Sequence, residues 1–414
     1  MSAPAVSVVI VSHGRPTSLR LCLEGVTRLR YSAFEIVVVA DAAGIAAIDE
    51  LPGRDRVKSV AFEEQNISAA RNLGIAAAAG EIVAFIDDDA VPEPTWLMHL
   101  ASGFDLPGVA AAGGYVRGRN GISFQWRARV VSDEARHRDL DIDGDEARVP
   151  QPPEGWAPKL EGTNMAIRRE VLARIGGFDP AFRFFLDETD LSLRLAAARQ
   201  TVAVVPLAEV HHAFAASPRR APDRAVRDLF EIGASMAVFL RKHCAEAEAR
   251  AARWHGFQGE QGARLRDQVR RRLISTGEVE GLMRGLREGY EAGLARNIAP
   301  LSPLAQPDTS FRPYPTRTRG PTTVISGRTW QVRRLRRAAV AAAERGEVAT
   351  LILLSPTTLF HRLRFVPEGY WEQRGGVFGR SDRAQPLLRL TGFRRRVAEE
   401  VARVARQRGI DADL

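Results

Sequence analysis

Three consecutive aspartates, Asp87, Asp88 and Asp89, close the apolar run 82–86 and are followed at once by an Ala-Val-Pro sequence. Three like charges repel one another, and along an extended chain Asp87 and Asp89 point the same way, roughly 6–7 Å apart. A divalent cation relieves such a pair, because Mg²⁺-type ions bind one or two carboxylates together with substrate phosphates. An acidic loop or a helix start is the alternative, since aspartate is common before a proline-containing helix start. From these residues alone both interpretations stay open.

Three other polar groups also stand where an apolar run ends or a helical pattern begins. Asp41 ends the run 35–40 and could accept N–H donors of a nucleobase or stabilise a turn. The acidic segment 187–190 opens a helical pattern, where a carboxylate could accept a proton or simply interact with the helix dipole. The pair His211–His212 follows the last strand-like run. Strand alternation lets one of the two imidazoles face inward, either as a metal ligand or as a structural histidine.

Short apolar strands alternating with helices are the elements that must position these groups. Strand-like runs span 6–12, 35–40, 57–62, 82–86 and 201–205, and helical patterns span 16–29, 67–79 and 188–198. Continuous Val/Ile runs indicate strands buried on both faces, as in parallel sheets. The alternation predicts an open, doubly wound α/β sheet. Ligands of such sheets bind at the carboxyl ends of the strands, which is where Asp41 and the three aspartates stand.

The bulk composition is that of a globular protein, with 414 residues, 45% hydrophobic and 26% charged. This length predicts two or three domains. The two cysteines, Cys22 and Cys244, exclude a disulfide framework and fit a reducing compartment. We expect neither a signal peptide nor a membrane span, because the N-terminal apolar run is short and no apolar stretch approaches 18 residues.

The net charge of +9 comes mainly from arginines concentrated after residue 218. Such a surplus attracts an anionic partner, such as a lipid head group or a phosphorylated acceptor, or forms solvated helix faces. Basic residues interleaved with aromatics are missing, so we expect no nucleic acid partner. We predict four regions: a doubly wound domain over 1–218, a helical, arginine-rich region over 219–298, a proline-rich linker over 299–321 and a small α/β unit of unknown role over 322–414. Within the first, 117–159 reads as a long, weakly structured and functional insert.

Six motifs in order resemble family-2 glycosyltransferases of the GT-A fold. The resemblance covers about residues 5–215, and the matching pieces are Val6–Pro16 (VSVVIVSHGRP), Glu35–Asp41, Asn66–Gly80, Ile86–Trp96 (IDDDAVPEPTW), Gly162–Phe178 and Asp187–Arg194 (DETDLSLR). No single piece is diagnostic, but the ordered set is specific. The resemblance implies a GT-A-like, doubly wound mixed sheet, to which this sequence adds the helical region and the small C-terminal α/β unit.

The resemblance also implies roles for individual residues on the donor side. Asp41 matches the aspartate that holds the nucleotide base, although Ala40 replaces the acidic residue that usually precedes it. The triple aspartate matches the DxD motif, which binds a divalent metal, Mn²⁺ or Mg²⁺, and the donor diphosphate. The implied nucleotide contacts are Asp41, His13, Arg71, Asp87 and Asp88. The implied metal ligands are Asp89, Asp87 and, after the last strand, His212.

On the acceptor side the resemblance places the catalytic acid pair at Asp187 and Glu188. Position within the motif favours Glu188 as the base, but the family order is Glu-Asp and the reversed order here keeps Asp187 open. An inverting transfer needs one carboxylate to accept the proton of the acceptor hydroxyl during in-line attack on the anomeric carbon. The residues implied for contact with sugar or acceptor are Gly162, Thr163, Asn164 and Asp190.

We therefore expect an inverting, metal-dependent glycosyltransferase that uses a nucleotide-diphospho-sugar and a hydroxyl acceptor, either a glycan or a lipid-linked molecule. The resemblance suggests cell-surface polysaccharide or glycolipid synthesis in the cytoplasm, with peripheral contact to the anionic inner face of the membrane as a further option. Two alternatives stay open. One is a nucleotidyltransferase, which releases pyrophosphate from a nucleoside triphosphate. The other is a catalytically silent scaffold that binds carbohydrate or a lipid surface.

Overall fold

A computed structural model describes residues 3–213, 215–307 and 309–410 of the chain. Its strands are β1 (Val6–Ser12), β2 (Phe34–Ala40), β3 (Val57–Ala61), β4 (Ile82–Asp87), β5 (Ala90–Pro92), β6 (Val109–Arg117), β7 (Phe124–Trp126), β8 (Arg129–Ser132), β9 (His137–Asp139), β10 (Trp156–Lys159), β11 (Met165–Arg168), β12 (Thr201–His212), β13 (Thr322–Arg328), β14 (Val348–Ser355), β15 (Arg362–Phe365) and β16 (Trp371–Gly376). Its helices are α1 (Pro16–Val26), α2 (Ala42–Asp49), α3 (Ile67–Ala77), α4 (Trp96–Ser102), α5 (Arg169–Arg174), α6 (Asp187–Ala197), α7 (Phe230–His243), α8 (Ala247–Arg270), α9 (Thr276–Ala295), α10 (Val332–Glu344) and α11 (Phe393–Arg408).

A nine-stranded mixed sheet forms the centre of the N-terminal half, in the order β3-β2-β1-β4-β11-β6-β12-β5, with β7 paired to β6. Strands β1 to β4 are parallel, β11 is antiparallel to both of its neighbours, and β6 and β12 are parallel. One apolar core packs α1 and α4 on one face, and a second packs α3, α5 and α6 on the other. The predicted α/β class with a doubly wound mixed sheet is confirmed.

The segment between β7 and β11 contains a second, small antiparallel sheet in the order β10-β8-β9. In it Trp156 pairs with Ser132, and Lys159 pairs with Arg129. The sequence predicted only a weakly structured insert here, because each strand is short and polar. The pairing of β10 with β8 joins segments far apart in the chain, which local patterns do not reveal. This sheet lies against α6 and so helps to place the acidic helix start.

Three helices, α7, α8 and α9, follow β12 and pack mainly through the α7–α9 contact. Their backbones approach closely at glycines: a Cβ on Gly289 would lie 1.9 Å from the carbonyl oxygen of Phe230, and one on Gly293 would lie 2.3 Å from that of Ala234. The two glycines therefore permit this helix pair. After α9 an extended segment returns along the N-terminal sheet, where the amide of Tyr314 donates to the carbonyl of Phe34 at 2.7 Å.

Residues 322–410, which we call the C-terminal unit, form a four-stranded sheet in the order β13-β14-β16-β15. Helices α10 and α11 cover its opposite faces. The sequence predicted a small α/β unit here, in which the pattern gives strand, helix and strand over 322–354, and the structure adds β15, β16 and α11. Over the residues that the structure describes, none of the helices has the length and apolar character needed to cross a membrane.

Candidate active site

Two aspartates and one histidine meet at the edge of the sheet where β4 and β12 end. One ligand atom from each of Asp87, Asp89 and His212 lies within 4.8 Å of the other two, and Nε2 of His212 is 3.2 Å from Oδ1 of Asp89. Antiparallel pairing places His212 opposite Ala90, directly after the aspartate turn. Two carboxylates and an imidazole form a donor set that suits Mn²⁺. The residues present therefore fit a divalent metal.

Alternation along β12 sends the two neighbouring histidines to opposite faces of the sheet. His212 faces the aspartates and lies beside Trp126, with ring centroids 5.9 Å apart. His211 points the other way, where its Nε2 lies 2.8 Å from Oε1 of Glu93. Of the two, the structure therefore places His212, the residue assigned from the resemblance, beside the candidate metal ligands.

Arg15 holds the aspartate turn from the side of the β1–α1 loop. Its guanidinium lies 2.5 Å from Asp88 and 3.4 Å from Oδ2 of Asp89, which also accepts the amide of Ala215 at 2.7 Å. Burial opposes ionisation of Asp89, but hydrogen bonding to His212 and the charge of Arg15 hold its pKa well below the usual range. Asp89 is thus an ionised carboxylate with Oδ1 directed at His212.

Asp88 is fully buried and accepts a hydrogen bond from Ser12 Oγ at 2.6 Å. Burial raises the pKa of this carboxyl to about 7, although the charge of Arg15 acts in the opposite direction. The side chain faces the protein interior rather than an open surface. This placement suits a positioning role toward Arg15, and the contact of Asp88 with the nucleotide stays a prediction.

Asp41 caps α2 and anchors the loop after β1. Its Oδ1 accepts the amide of Gly44 at 2.9 Å, and its Oδ2 accepts the amide of Gly14 at 2.6 Å. The turn chemistry considered from the sequence is therefore present, and the base-binding role stays a prediction. His13 Nδ1 lies 4.0 Å from Oδ2 of Asp41, and the His13 side chain is partly exposed.

An open cleft of about 1140 Å³ begins beside His13 and Arg15, and we call it the donor cleft. Its walls come from the carboxyl ends of β1 and β2, the start of α3, the segment after β12 and the first turn of α7. Several arginines line it, and they are Arg15, Arg183, Arg219, Arg220 and Arg264. A cleft lined by cations of this kind attracts an anionic ligand such as a diphosphate.

Arg71 joins the aspartate turn to the acidic start of α6. The side chain is buried, and its guanidinium donates to Asp187, to Oδ1 of Asp87 at 3.2 Å and to the carbonyl of Gly162 at 3.1 Å. These donors are used within the protein, which suits a positioning role for Arg71 between two carboxylates that belong to different parts of the site. The contact of Arg71 with nucleotide or pyrophosphate stays a prediction.

Asp187 and Glu188 have different surroundings, although they are neighbours. Asp187 is buried against Arg71, whereas Glu188 is partly exposed and accepts a hydrogen bond from Lys159 Nζ at 3.0 Å. Burial raises the pKa of Asp187 above its usual range. Burial also opposes ionisation of Glu188, but Lys159 outweighs it and lowers the pKa of this carboxyl. Glu188 is therefore the carboxylate that is both ionised and accessible.

A second cleft opens beside Glu188, and we call it the acceptor cleft. Two tryptophans, Trp126 of β7 and Trp156 of the small antiparallel sheet, line it together with Lys159, Glu161 and Glu188. Aromatic faces and charged groups in one cleft can bind a polar ligand by stacking and hydrogen bonds. Because Trp126 also contacts His212, this cleft adjoins the candidate metal site.

The four residues predicted to contact sugar or acceptor lie mostly beneath this surface. Asn164 is fully buried and donates to the carbonyls of Tyr115 and Ala208, each at 2.8 Å. Asp190 is also fully buried and pairs with Arg194, Lys242 and His243. Gly162 contributes its carbonyl to Arg71. Thr163 is buried too, and its Oγ1 has no hydrogen-bond partner among the described residues.

These placements suit support of the site by Asn164, Asp190 and Gly162, and their contact with sugar or acceptor stays a prediction. Sequence reasoning missed Arg15 and Lys159, which contact the aspartate turn and Glu188. Arg15 follows the first strand within the resemblance, and that position was its one available signal. Lys159 lies at the end of the insert 117–159, where no motif marks it.

Comparison with known proteins gives one family match, to "Glycosyl transferase family 2" over residues 7–176. Over 104 residues, 24% of this chain and 30% of the relative, the chain is 38% identical to the EpsH protein of Bacillus subtilis. It is 29% identical over 214 residues to the pre-mycofactocin glycosyltransferase of Mycobacterium tuberculosis, covering 50% of this chain and 42% of that protein. The chain thus spans less than half the length of either relative.

Two solved structures are matched at low similarity. GalNAc-T7 with UDP, GalNAc and Mn²⁺ has 16% sequence identity and a TM-score of 0.45, covering 58% of this chain and 48% of that one. The mannosyltransferase PcManGT from Pyrobaculum calidifontis, in complex with GDP-Man and Mn²⁺, also has 16% identity, with a TM-score of 0.43 and coverage of 71% and 88%.

Proposed function

We propose that this chain, whose residues 7–176 belong to glycosyl transferase family 2, moves a sugar from a nucleotide-diphospho-sugar to a hydroxyl acceptor. One observation carries the proposal. The triad of Asp87, Asp89 and His212, fitted to a divalent metal, is contacted by Arg15, which lines the arginine-lined cleft, and by Trp126, which lines a second cleft that presents an ionised carboxylate. Sugar transfer needs these three parts in contact.

The donor is expected to bind in the donor cleft with its diphosphate toward the aspartate turn. The arginines of the cleft favour the diphosphate by charge-assisted hydrogen bonds, and His13 can stack on the base. Asp87, Asp89 and His212 would hold Mn²⁺ or Mg²⁺, which when bound offsets the negative charge of a departing diphosphate. The pairs of Arg15 with Asp88 and of Arg71 with Asp87, each with one buried partner, would keep the aspartates in place for this role.

The acceptor is expected to enter the acceptor cleft between the tryptophans and Glu188. Glu188 Oε accepts the proton of the acceptor hydroxyl while that oxygen attacks the anomeric carbon in line. The bond from the anomeric carbon to the diphosphate oxygen breaks, its electrons leave with the nucleoside diphosphate, and the anomeric configuration inverts. Lys159 keeps Glu188 ionised before the proton arrives and neutralises its charge within a partly dry cleft.

The acceptor class follows from the family and from the form of the acceptor cleft. The cleft is open and lined by aromatic and charged groups, which suits a glycan or the carbohydrate part of a lipid-linked acceptor. The wider role that we propose is synthesis of a cell-surface polysaccharide or another glycoconjugate. A site of this kind on the cytoplasmic side of a membrane would meet both nucleotide sugars and lipid-linked acceptors.

A panel of UDP-, GDP- and dTDP-sugars tests the proposal, with Mn²⁺, Mg²⁺ or EDTA present. We expect one donor class to be hydrolysed slowly in the presence of metal and faster, with transfer, when the right acceptor is added. The product's anomeric configuration, read by NMR, tests inversion. Release of pyrophosphate from a nucleoside triphosphate would instead assign a nucleotidyltransferase, and binding without turnover by any donor would assign a scaffold.

A further inference from the structure

The C-terminal unit exposes a set of large apolar side chains that the catalytic proposal does not use. We call it the apolar patch, and its members are Trp330, Leu359, Phe360, Leu387, Leu388 and Leu390. Leu390 is 89% exposed and Trp330 is 71% exposed, more than any other large apolar side chain that the structure describes. Elsewhere in the described chain such residues are exposed singly. A cluster of this kind on a folded protein marks an interaction surface.

Direct contacts join the loops that carry the patch. The amide of Gly376 donates to the carbonyl of Leu359 at 2.9 Å, and Gly379 packs against the same carbonyl while pairing with Leu388. The guanidinium of Arg380 lies 4.5 Å from the ring centroid of Phe360. The two apolar loops therefore lie side by side, with an arginine between them.

The same arrangement extends the patch toward Trp330. The guanidinium of Arg328 lies 6.0 Å from the ring centroid of Trp330 and 4.4 Å from that of Phe393, the first residue of α11. Phe393 stands three residues after Leu390. Arg328 thus links Trp330 to the segment that carries Leu390.

The surroundings of the patch are strongly basic. Between residues 378 and 395 the chain carries five arginines and a single acidic residue, Asp382. Of these arginines, Arg383, Arg394 and Arg395 are exposed. The centre of a protein–protein interface is usually depleted of charge, whereas membrane-surface segments combine leucine and aromatic side chains with arginine. Long arginine side chains can bury their stems while their charged ends meet lipid phosphates.

We propose that the apolar patch docks the protein on an anionic lipid bilayer. The leucine and aromatic side chains would enter the interfacial region, and the arginines would meet anionic head groups. The sequence pointed to the helical region over 219–298 for membrane contact, but there the arginines are not joined to an exposed apolar cluster. The inference rests on the surface alone and holds whether or not the chain transfers sugar.

Co-sedimentation of the full chain with vesicles tests the proposal. Vesicles of phosphatidylcholine alone are compared with vesicles that also contain phosphatidylglycerol. We expect binding to the anionic vesicles only, weakened by salt because screening reduces the attraction. The triple variant Leu387→Ser, Leu388→Ser and Leu390→Ser removes the apolar part and should lower partitioning about tenfold for each leucine that enters the interface. Arg383→Gln, Arg394→Gln and Arg395→Gln should lower it by about fivefold each.

Matched controls carry substitutions of the same kind, apolar to serine and arginine to glutamine, at exposed positions outside the patch. Met98→Ser with Leu294→Ser removes exposed apolar side chains elsewhere, and Arg266→Gln, Arg270→Gln and Arg287→Gln remove exposed arginines from α8 and α9. Both controls should bind anionic vesicles like the unchanged chain, and all variants should keep its melting temperature.

Three results would overturn the docking surface. The first is equal binding to neutral vesicles or no binding at all. The second is loss of binding only in the α8–α9 variant. The third is a chain that self-associates through the leucines without binding vesicles, which would make the patch a contact between protein copies.

Discussion

Replacing Arg408 by methionine should destabilise the protein strongly, although this residue lies near the chain's end and far from the aspartates in sequence. Arg408 is fully buried, and its guanidinium donates twice to the fully buried Glu93, each time at 2.9 Å, and to Thr350 at 3.0 Å. Arg408→Met would leave a carboxylate inside the protein without its main cation. Removing one partner of such a pair typically costs about 3–5 kcal/mol of unfolding free energy.

The pKa of Glu93 gives a second, independent magnitude. Burial opposes its ionisation, but Arg408 and His211 together lower the pKa of this carboxyl from 4.5 to about 2. At about 1.4 kcal/mol per pKa unit, that corresponds to about 3 kcal/mol of stability at neutral pH. Because the folded pKa is the lower one, this contribution is present above the ordinary value and is lost as the pH falls toward 2. The pKa effect includes the contribution of His211, so it is consistent with the lower end of the expected loss of about 3–5 kcal/mol at pH 7.

Urea unfolding at pH 7, followed by circular dichroism, measures this loss. Arg406→Met is the matched control, because Arg406 lies on the same helix and pairs at 2.8 Å with Asp145, with both side chains more than half exposed. Surface pairs contribute about 0–1 kcal/mol, so the control should unfold nearly like the unchanged chain. In the double variant Arg408→Met with Glu93→Gln, part of the stability should return, because no unpaired charge is buried. Equal stability of the Arg408→Met and Arg406→Met variants would refute the stabilising role of the buried pair between Arg408 of α11 and Glu93, which lies between β5 and α4.

Three further predictions concern the site. Asp89→Asn should abolish metal-dependent binding of UDP or GDP in titration calorimetry with Mn²⁺ while the fold persists, and unchanged affinity would remove Asp89 from the ligand set. Glu188→Gln should lower kcat by about 10²–10⁴-fold with little change in donor affinity, whereas near-normal turnover in this variant beside an inactive Asp187→Asn would move the base to Asp187. Lys159→Met should shift the acid limb of the kcat/KM profile to higher pH, because loss of the cation raises the pKa of Glu188. Lys159→Arg should keep the profile of the unchanged chain. Identical pH profiles in the unchanged chain and both variants would exclude an effect of Lys159 on Glu188.

The candidate metal ligands could be predicted because each stands at the end of a strand. Parallel strands place their carboxyl ends at one edge, so residues distant in sequence, such as Asp89 and His212, meet there. The sequence also indicated the position of the reversed acid pair, but favouring Glu188 over Asp187 needed their difference in exposure and the contact of Glu188 with Lys159. Neither can be read from the sequence, because both depend on how the small antiparallel sheet lies against α6.

Other parts of the fold and site lacked a local signal. Strand β6 (VAAAGGYVR) is rich in alanine and glycine, which are depleted in strands, and β11 is only four residues long. Asp88 shares a motif with two candidate ligands, yet a turn directs its side chain inward to Ser12 and Arg15. Helix α11 carries many arginines on a sequence that reads as a solvated face, while Arg396 and Arg408 are fully buried. Whether an arginine on such a helix is buried depends on its tertiary pairing with a carboxylate, which the local sequence does not show.

The position of Arg71 has a consequence for the order in which substrates bind. One guanidinium is shared between Asp87, on the donor side, and Asp187, next to the base. A ligand that draws Asp87 away from Arg71 leaves more of the guanidinium charge to Asp187. This in turn changes the proton affinity of the neighbouring Glu188. Thermodynamic linkage makes this effect reciprocal, so whatever donor binding does to acceptor affinity, acceptor binding does equally to donor affinity. Substrate cooperativity is therefore expected from a single buried cation, and Arg71→Lys, which has only one charged nitrogen to share, should weaken it.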